Sequence, residues 1–359
     1  MSRVLRSFQV TNHRSLAEPQ ELRLVANRAG ALPAPVTAVH GAAASGKSAL
    51  VDALAQMRDA VLRSVTGWDP YAGPVRAPHR GFADRPSEFS AGFVAEGTPY
   101  SYGFRLDNAD VTAEWLHTHP HNRKRIVFER EGDQIRIGPM FEPVRFGITA
   151  LVPLVRPNAL LLSLTGQMYA EALVPAYRWF ADQLDVVHGV VEPDAIAERL
   201  GGHISRSADN AARLLMLLHS AETGIEDLLL AASDPMYADY LSELDGEIEA
   251  LAKESDACAT SPARARQVQQ DLGLDAIALQ RELSNMRAAR DTLYARMVAR
   301  RGVGLGLVHE GIDASFDIAD ESTATLALLR LLPSILDALD TGRVLAIDDI
   351  DTHLTGDTA

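Results

Sequence analysis

Three lysines serve a chain of 359 residues, and one of them stands in the stretch GAAASGKS at 41–48. A glycine, four residues and then Gly-Lys-Ser is a pattern that wraps main chain around an anion. Gly41 lets the chain turn tightly out of a preceding strand. Ala42, Ala43, Ala44, Ser45 and Gly46 then aim successive N–H groups inward, and Gly46 permits the close approach to a β-phosphate. Lys47 places a point charge on the β- and γ-oxygens, and Ser48 offers a hydroxyl to Mg2+. Ala49 lies in the first turn of a helix whose positive end faces the anion. A second chemical stretch, VLAIDDID, closes in at 344–351. Val344 to Ile347 read as a buried strand, and Asp348 emerges where a carboxylate holds the water shell of a nucleotide-bound metal. Buried strands ending in Asp are common, so the second stretch says little by itself. Paired with the first, it implies one site for ATP and Mg2+ whose two halves are separated by a large insertion.

These residues need elements to position them. Residues 3–10 and 20–26 read as short strands around the polar turn TNHRS. The β-branched run Val36 to Val39 reads as a buried strand leading into the loop. Residues 47–64 form a helix with Leu50, Leu54, Met57 and Val61 on one face. From 88 to 130 the period changes to two: Phe89, Ala91 and Phe93 alternate, Glu96-Gly97 turns the chain, and TPYSYGFRL, VTAEWLHTH and KRIVFERE continue as antiparallel strands. Helices dominate from about 152 to 300. There Tyr237, Leu241, Leu244, Ile248 and Leu251 recur every three or four residues, as do Leu279, Leu283, Met286, Leu293 and Met297. TSPAR at 260–264 breaks the helix between them. The pattern fits an antiparallel coiled hairpin about 35 Å long and equally the amphipathic helices of a bundle.

Composition narrows the classes. A net charge of −14 does not advertise nucleic-acid binding across the surface, although Arg123, Arg125, Arg296, Arg300 and Arg301 leave room for a local basic face and hence for DNA. A single cysteine, Cys258, permits no intrachain disulfide and suggests a reducing compartment. No signal-peptide pattern opens the chain, and the longest apolar run, near Ala159 to Leu164, is far short of a membrane span. A cytoplasmic protein without membrane partners is expected. The alternating His117, His119 and His121 read as a solvated strand end in preference to a metal site. NRKRIVFERE reads as a charged strand edge, and GVGLG at 302–306 as a turn or strand entry.

With these motifs in view, the chain resembles the bacterial ABC/SMC-type AAA ATPases, the group that includes the overcoming-lysogenization-defect-like and abortive-infection ATPases. The resemblance rests on FQVTNHRSL at 8–16, GAAASGKSALVDAL at 41–54, PSEFSAGF and YSYGF at 86–104, ADESTATLALLRLLP at 319–333, and VLAIDDID. It implies an α/β P-loop NTPase head with an antiparallel β lobe and a helical, short coiled-coil insertion. The implied division is 1–150 and 303–359 for the head and 151–302 for the insertion. It also implies nucleotide contacts from Asn12 and Arg14, and a signature stretch around Ser322 and Thr325 that caps a partner's ATP in a head-to-head homodimer. By the same resemblance Asp349, beside the metal-binding Asp348, is the base for water attack, with Lys47 as the other catalytic group. ATP would drive a conformational switch linked to phage defence or DNA maintenance.

The chain also departs from that family. Ala43 replaces an Asn of the loop, and Ala324 replaces the signature glycine, where a Cβ crowds a phosphate-binding N–H. Asp349 is one methylene shorter than the usual Glu, and a displacement of about 1 Å can cost on the order of 100-fold in rate. No Gln lies between Gln56 and Gln134 to contact the nucleotide's metal, and the tail HLTGDTA differs from the usual continuation. The strand that follows the metal-binding Asp strand in the family, and lies beside the phosphate-loop strand, is not found. The expectation is a chain that binds ATP and hydrolyses it poorly by itself. It would act as a non-hydrolysing scaffold or as a subunit whose sheet a partner chain completes.

Overall fold

The computed structural model describes residues 4–25, 34–42, 44–120, 123–139, 141, 145–166, 168, 170–189, 192–204, 206–232, 235–272, 278–279, 282–283, 285–286, 290, 303–312 and 314–350. It divides into two compact units, one of residues 1–189 with 334–352 and one of residues 190–333 with 353–359. The units cut the chain differently from the expected domains. Residues 151–189 belong with the β lobe and phosphate loop, and 303–333 belong with the helical segment.

The first unit is built on a seven-stranded antiparallel sheet. Its strands are β1 (Val4–Thr11), β2 (Gln20–Arg23), β3 (Ser87–Ala95), β4 (Thr98–Leu106), β5 (Val111–Thr118), β6 (Arg125–Glu131) and β7 (Gln134–Ile137), in the order β2-β1-β3-β4-β5-β6-β7. The alternation of β3 is strict: Phe89, Ala91, Phe93 and Ala95 are buried. Glu96 and Gly97, both with positive φ, turn β3 into β4 and pair Ala95 with Thr98, the turn chemistry a two-residue hairpin requires. NRKRIVFERE does not make an edge. β6 pairs with β5 on one side and β7 on the other, and Glu129 holds His117 at 2.8 Å and Arg136 at 2.5 Å.

The buried face of this sheet packs on α1 (Lys47–Gly67) and on the segment beyond α2 (Arg145–Leu151), which runs through α3 (Leu161–Leu164), α4 (Val174–Arg178) and a π turn, Trp179–Gln183. α1 buries Leu54, Met57 and Val61 with Ala49, Ala53 and Ala60 between them. Trp179 stacks on Phe93 with ring centroids 4.3 Å apart, and Phe180 meets Phe93 and Tyr102 edge-on. A buried carboxylate lies in this core. Glu114 of β5, fully buried, accepts from the Leu161 and Leu162 N–H groups at 2.7 and 2.9 Å and from Tyr102 Oη at 3.0 Å, with Arg130 Nη1 3.6 Å away. Burial pushes its carboxyl pKa up, against the pull of Arg130 and these donors. Glu114 thereby ties α3 to the sheet.

The π turn runs into β8 (Leu184–Val187), a strand inside the stretch expected to be helical. It pairs in parallel with β12 (Val344–Ile347), Leu184 opposite Val344 and Val187 opposite Ile347. The strand expected over Val36 to Val39 is not formed. Residues 34–40 are exposed throughout, Val36 by 84% and Val39 by 45%, and no strand among the described residues pairs with them. β-branched composition favours a strand only where a neighbour offers a ladder.

The second unit contains α5 (Pro193–Ile204), α6 (Ala208–Ser220), β9 (Ile225–Ala232), α7 (Pro235–Thr260), α8 (Pro262–Leu272), β10 (Val303–His309), β11 (Ser315–Asp317) and the start of α9 (Thr323–Thr341). β10 lies between β9 and β11, both antiparallel to it, so GVGLG enters a strand. α7 and α8 turn about Ser261. Cys258, Val268 and Leu279 share a small core, and Arg290 Nε reaches Asp245 at 2.9 Å. Leu293, Met297, Arg296, Arg300, Arg301 and His121 lie outside the described residues.

Candidate functional site

Three segments of the first unit converge on the start of α1. The first is the phosphate-loop stretch itself. Gly46 precedes α1 in the left-handed region at φ 95°, and no side chain caps the helix. No acidic residue stands in its first turn, so the positive end of its dipole is uncompensated. Ala44 also has positive φ, as a loop that folds its N–H groups inward requires. Lys47 Nζ lies over the loop, donating to the Gly41 and Ala42 carbonyls at 2.8 and 3.0 Å. Gly41 passes so close to Ser45 that a Cβ would sit 2.6 Å from Ser45 Oγ. Ser48 is exposed, whereas Ala49 turns its methyl into the core. Ala43 lies outside the described residues.

The second segment is the turn that leaves β1. His13 and Leu16 exchange backbone bonds at 2.8 and 2.7 Å, and Leu16 packs beside Gly46, where an added Cβ would meet Leu16 Cδ2 at 2.7 Å. Asn12 is 1% exposed. Its amide donates to the carbonyls of Phe82, Arg85 and Pro86 and accepts from the His79 N–H. The Asn12 side chain thereby holds the loop over 79–86 against the turn. Arg14, at φ 48°, stays 58% exposed and places Nε 2.7 Å from Asp52 Oδ2.

Asp52 is the residue the motifs did not single out. It stands four residues after Ser48, on the same face of α1. Its carboxylate meets His13 Nε2 at 2.7 Å, Arg14 at 2.7 Å and His188 Nδ1 at 3.5 Å. His13 is fully buried and its Nδ1 has no partner. Burial raises the Asp52 pKa, but the His13 bond and then the charge of Arg14 outweigh it, and the carboxyl lies below its ordinary range. The available signal was a charged residue inside SALVDAL, one turn after Ser48.

The third segment is the carboxyl end of the parallel pair, the place where α/β sheets receive ligands. Asp348 follows β12, half-buried, and its N–H bonds the Val187 carbonyl at 2.9 Å. Asp349 is exposed with φ 54°. His188 directly follows β8, as Asp348 directly follows β12. Ser322 and Thr325 belong to the second unit. Ser322 Oγ caps α9 by accepting from the Thr325 N–H at 3.1 Å, and the two hydroxyls lie 2.9 Å apart. His309 Nε2 bonds Glu321 at 2.5 Å and braces the same helix start.

The family model described as "AAA domain, putative AbiEii toxin, Type IV TA system" matches residues 36–354, which takes in both the phosphate loop and the Asp348 strand. The chain belongs to this AAA-domain family. Its fold is accordingly the α/β P-loop NTPase fold, and the AAA domain places it among ATP-binding ATPases. No curated protein matches the chain. Among solved structures it is similar to the Smc head domain with an extended coiled coil, bound to the C-terminal domain of ScpA, from Pyrococcus furiosus. The identity is 12% and the TM-score 0.35, over 98% of this chain and 83% of that one. No helix among the described residues of this AAA-domain protein is long and apolar enough to cross a membrane.

Proposed function

We propose that this chain is an ATP-driven conformational switch of the ABC/SMC-like kind, with ATP and Mg2+ held by residues 41–48 and Asp348. The observation that carries the reading is the start of α1: an uncapped helix end behind a left-handed Gly46, with Lys47 already drawn over the loop. These residues fit a magnesium nucleotide. Main-chain N–H groups of the loop receive the β-phosphate, and Lys47 exchanges two carbonyl partners for β- and γ-oxygens. Ser48 and Asp348 supply the oxygen donors that Mg2+ prefers. When bound, the metal neutralises charge that develops on the transferred phosphoryl group. Asp349 takes the proton of the attacking water, at the reduced rate that its short side chain imposes. The switch would act in phage defence or DNA maintenance, through assembly of two heads and movement of the helical segment.

A second reading is a subunit that turns over ATP only after a strand from a partner chain joins the sheet. It is favoured by the exposed, unpaired residues 36–39 and by β12, which pairs only with β8 among the described residues. Phosphate release from ATP by the purified chain separates the readings. Slow turnover that Asp348→Asn abolishes supports the switch. Nucleotide binding with no turnover above background supports the partner-completed subunit. Turnover unaffected by Asp348→Asn would remove Asp348 from the site.

A further inference from the structure

His188 is assigned no role by the motifs, yet its place is defined from two directions. Continued by one residue, the parallel register that sets Val187 opposite Ile347 sets His188 beside Asp348, and the Asp348 N–H already bonds the Val187 carbonyl. From the other side, His188 Nδ1 lies 3.5 Å from Asp52 Oδ1, one turn along α1 from Ser48. His188 therefore touches the helix that carries Ser48 and follows the strand paired with the one that carries Asp348. It is 36% exposed, while Asp52 is 12% exposed. Asp52 is anchored in turn by the buried His13 and by Arg14, so it is a fixed acceptor and not a roaming side chain.

We propose that His188 is a ligand-contacting residue that donates a hydrogen bond to the terminal phosphate of the bound nucleotide, and that Asp52 is the positioning residue that orients it. The inference rests on the nucleotide reading of residues 41–48. The chemistry selects phosphate over metal. Mg2+ takes hard oxygen ligands, which Ser48 and Asp348 supply, and an imidazole is a poor addition to them. An imidazole whose Nδ1 faces a carboxylate presents Nε2 outward, and a ring paired to an acid is a better donor than a free one. Arg14, held by the other oxygen of the same carboxylate, is placed at the turn beside Gly46. Asp52 thus aims two donors from two different elements. Because β8 pairs with β12, a bond from His188 to the last phosphate also links nucleotide state to the strand that carries Asp348.

The test compares a non-hydrolysable ATP analogue with ADP, each with Mg2+, by calorimetric titration of the full chain. In His188→Ala the analogue is expected to bind about tenfold more weakly while ADP is unchanged, the size of one lost charge-assisted hydrogen bond. His188→Gln, which retains a donor, restores most of the difference. Asp52→Asn, which keeps the shape but not the charge, shows the same selective loss in smaller measure. Equal changes in analogue and ADP affinity, no change in either, or no recovery in His188→Gln would overturn the proposal. If the unsubstituted chain binds neither ligand, or Lys47→Ala binds both as well as it does, the phosphate-loop reading has failed and takes this inference with it.

Discussion

At the scale of single residues, the site depends on positions where chemistry and backbone shape coincide. Gly46 must accept φ 95° and must leave room for Leu16. Gly46→Ala is strained on both counts and is expected to abolish nucleotide binding in a fluorescence titration while the far-ultraviolet circular dichroism stays unchanged. Asp52 carries a pH signature. Its pKa is depressed in the folded chain, so the unfolded chain binds its proton more readily. The stability it contributes is present above the unfolded value of about 3.9 and is lost as pH falls through the lower folded value. Urea denaturation should therefore show Asp52→Asn less stable than the unsubstituted chain at pH 6, with the gap closing below about pH 4. A gap that does not narrow as pH falls below about 4 would contradict this. Residue type and spacing singled out the loop, Lys47, Ser48 and Asp348, which all fall in one compact unit. They did not single out His13, Asp52 and His188, because a cluster assembled from three distant segments has no local pattern. The partners of the Asn12 amide were hidden for a related reason, since they are carbonyls more than seventy residues away.

At the scale of elements, the antiparallel sheet was readable because alternation and turn chemistry agree at each hairpin, as at Phe89, Ala91, Phe93 and the Glu96-Gly97 turn. β8 was not. Its four residues, Leu184, Asp185, Val186 and Val187, lie within a helical stretch and are too few for their period to distinguish strand from buried helix. The opposite error arose at Val36 to Val39, where β-branched composition was right and a pairing partner was missing. Glu114 shows how an element is held by one buried group. Glu114→Ala leaves Tyr102 and two N–H groups of α3 without their acceptor and the buried Arg130 without its counter-charge, and is expected to cost about 3 kcal/mol in urea denaturation. A loss under about 1 kcal/mol would mean that water or a shift of α3 replaces it.

At the scale of the whole molecule, the phosphate loop and the Asp348 strand fall in one compact unit, although 300 residues separate Ser48 from Asp348. Ser322 and Thr325 fall in the other unit, where they cap α9. A ligand of the first unit stabilises that unit by mass action, by about 2.7 kcal/mol at a hundredfold excess over Kd. Thermal unfolding with Mg2+ and ATP should therefore move to higher temperature, and the shift should disappear in Lys47→Ala. The central claim is that residues 41–48 hold the phosphates of ATP. The most direct measurement is calorimetric titration of ATP with Mg2+ into the full chain and into Lys47→Ala. Saturable one-site binding that the substitution weakens at least tenfold is the predicted result. Binding of equal strength in both proteins, or in neither, would contradict it.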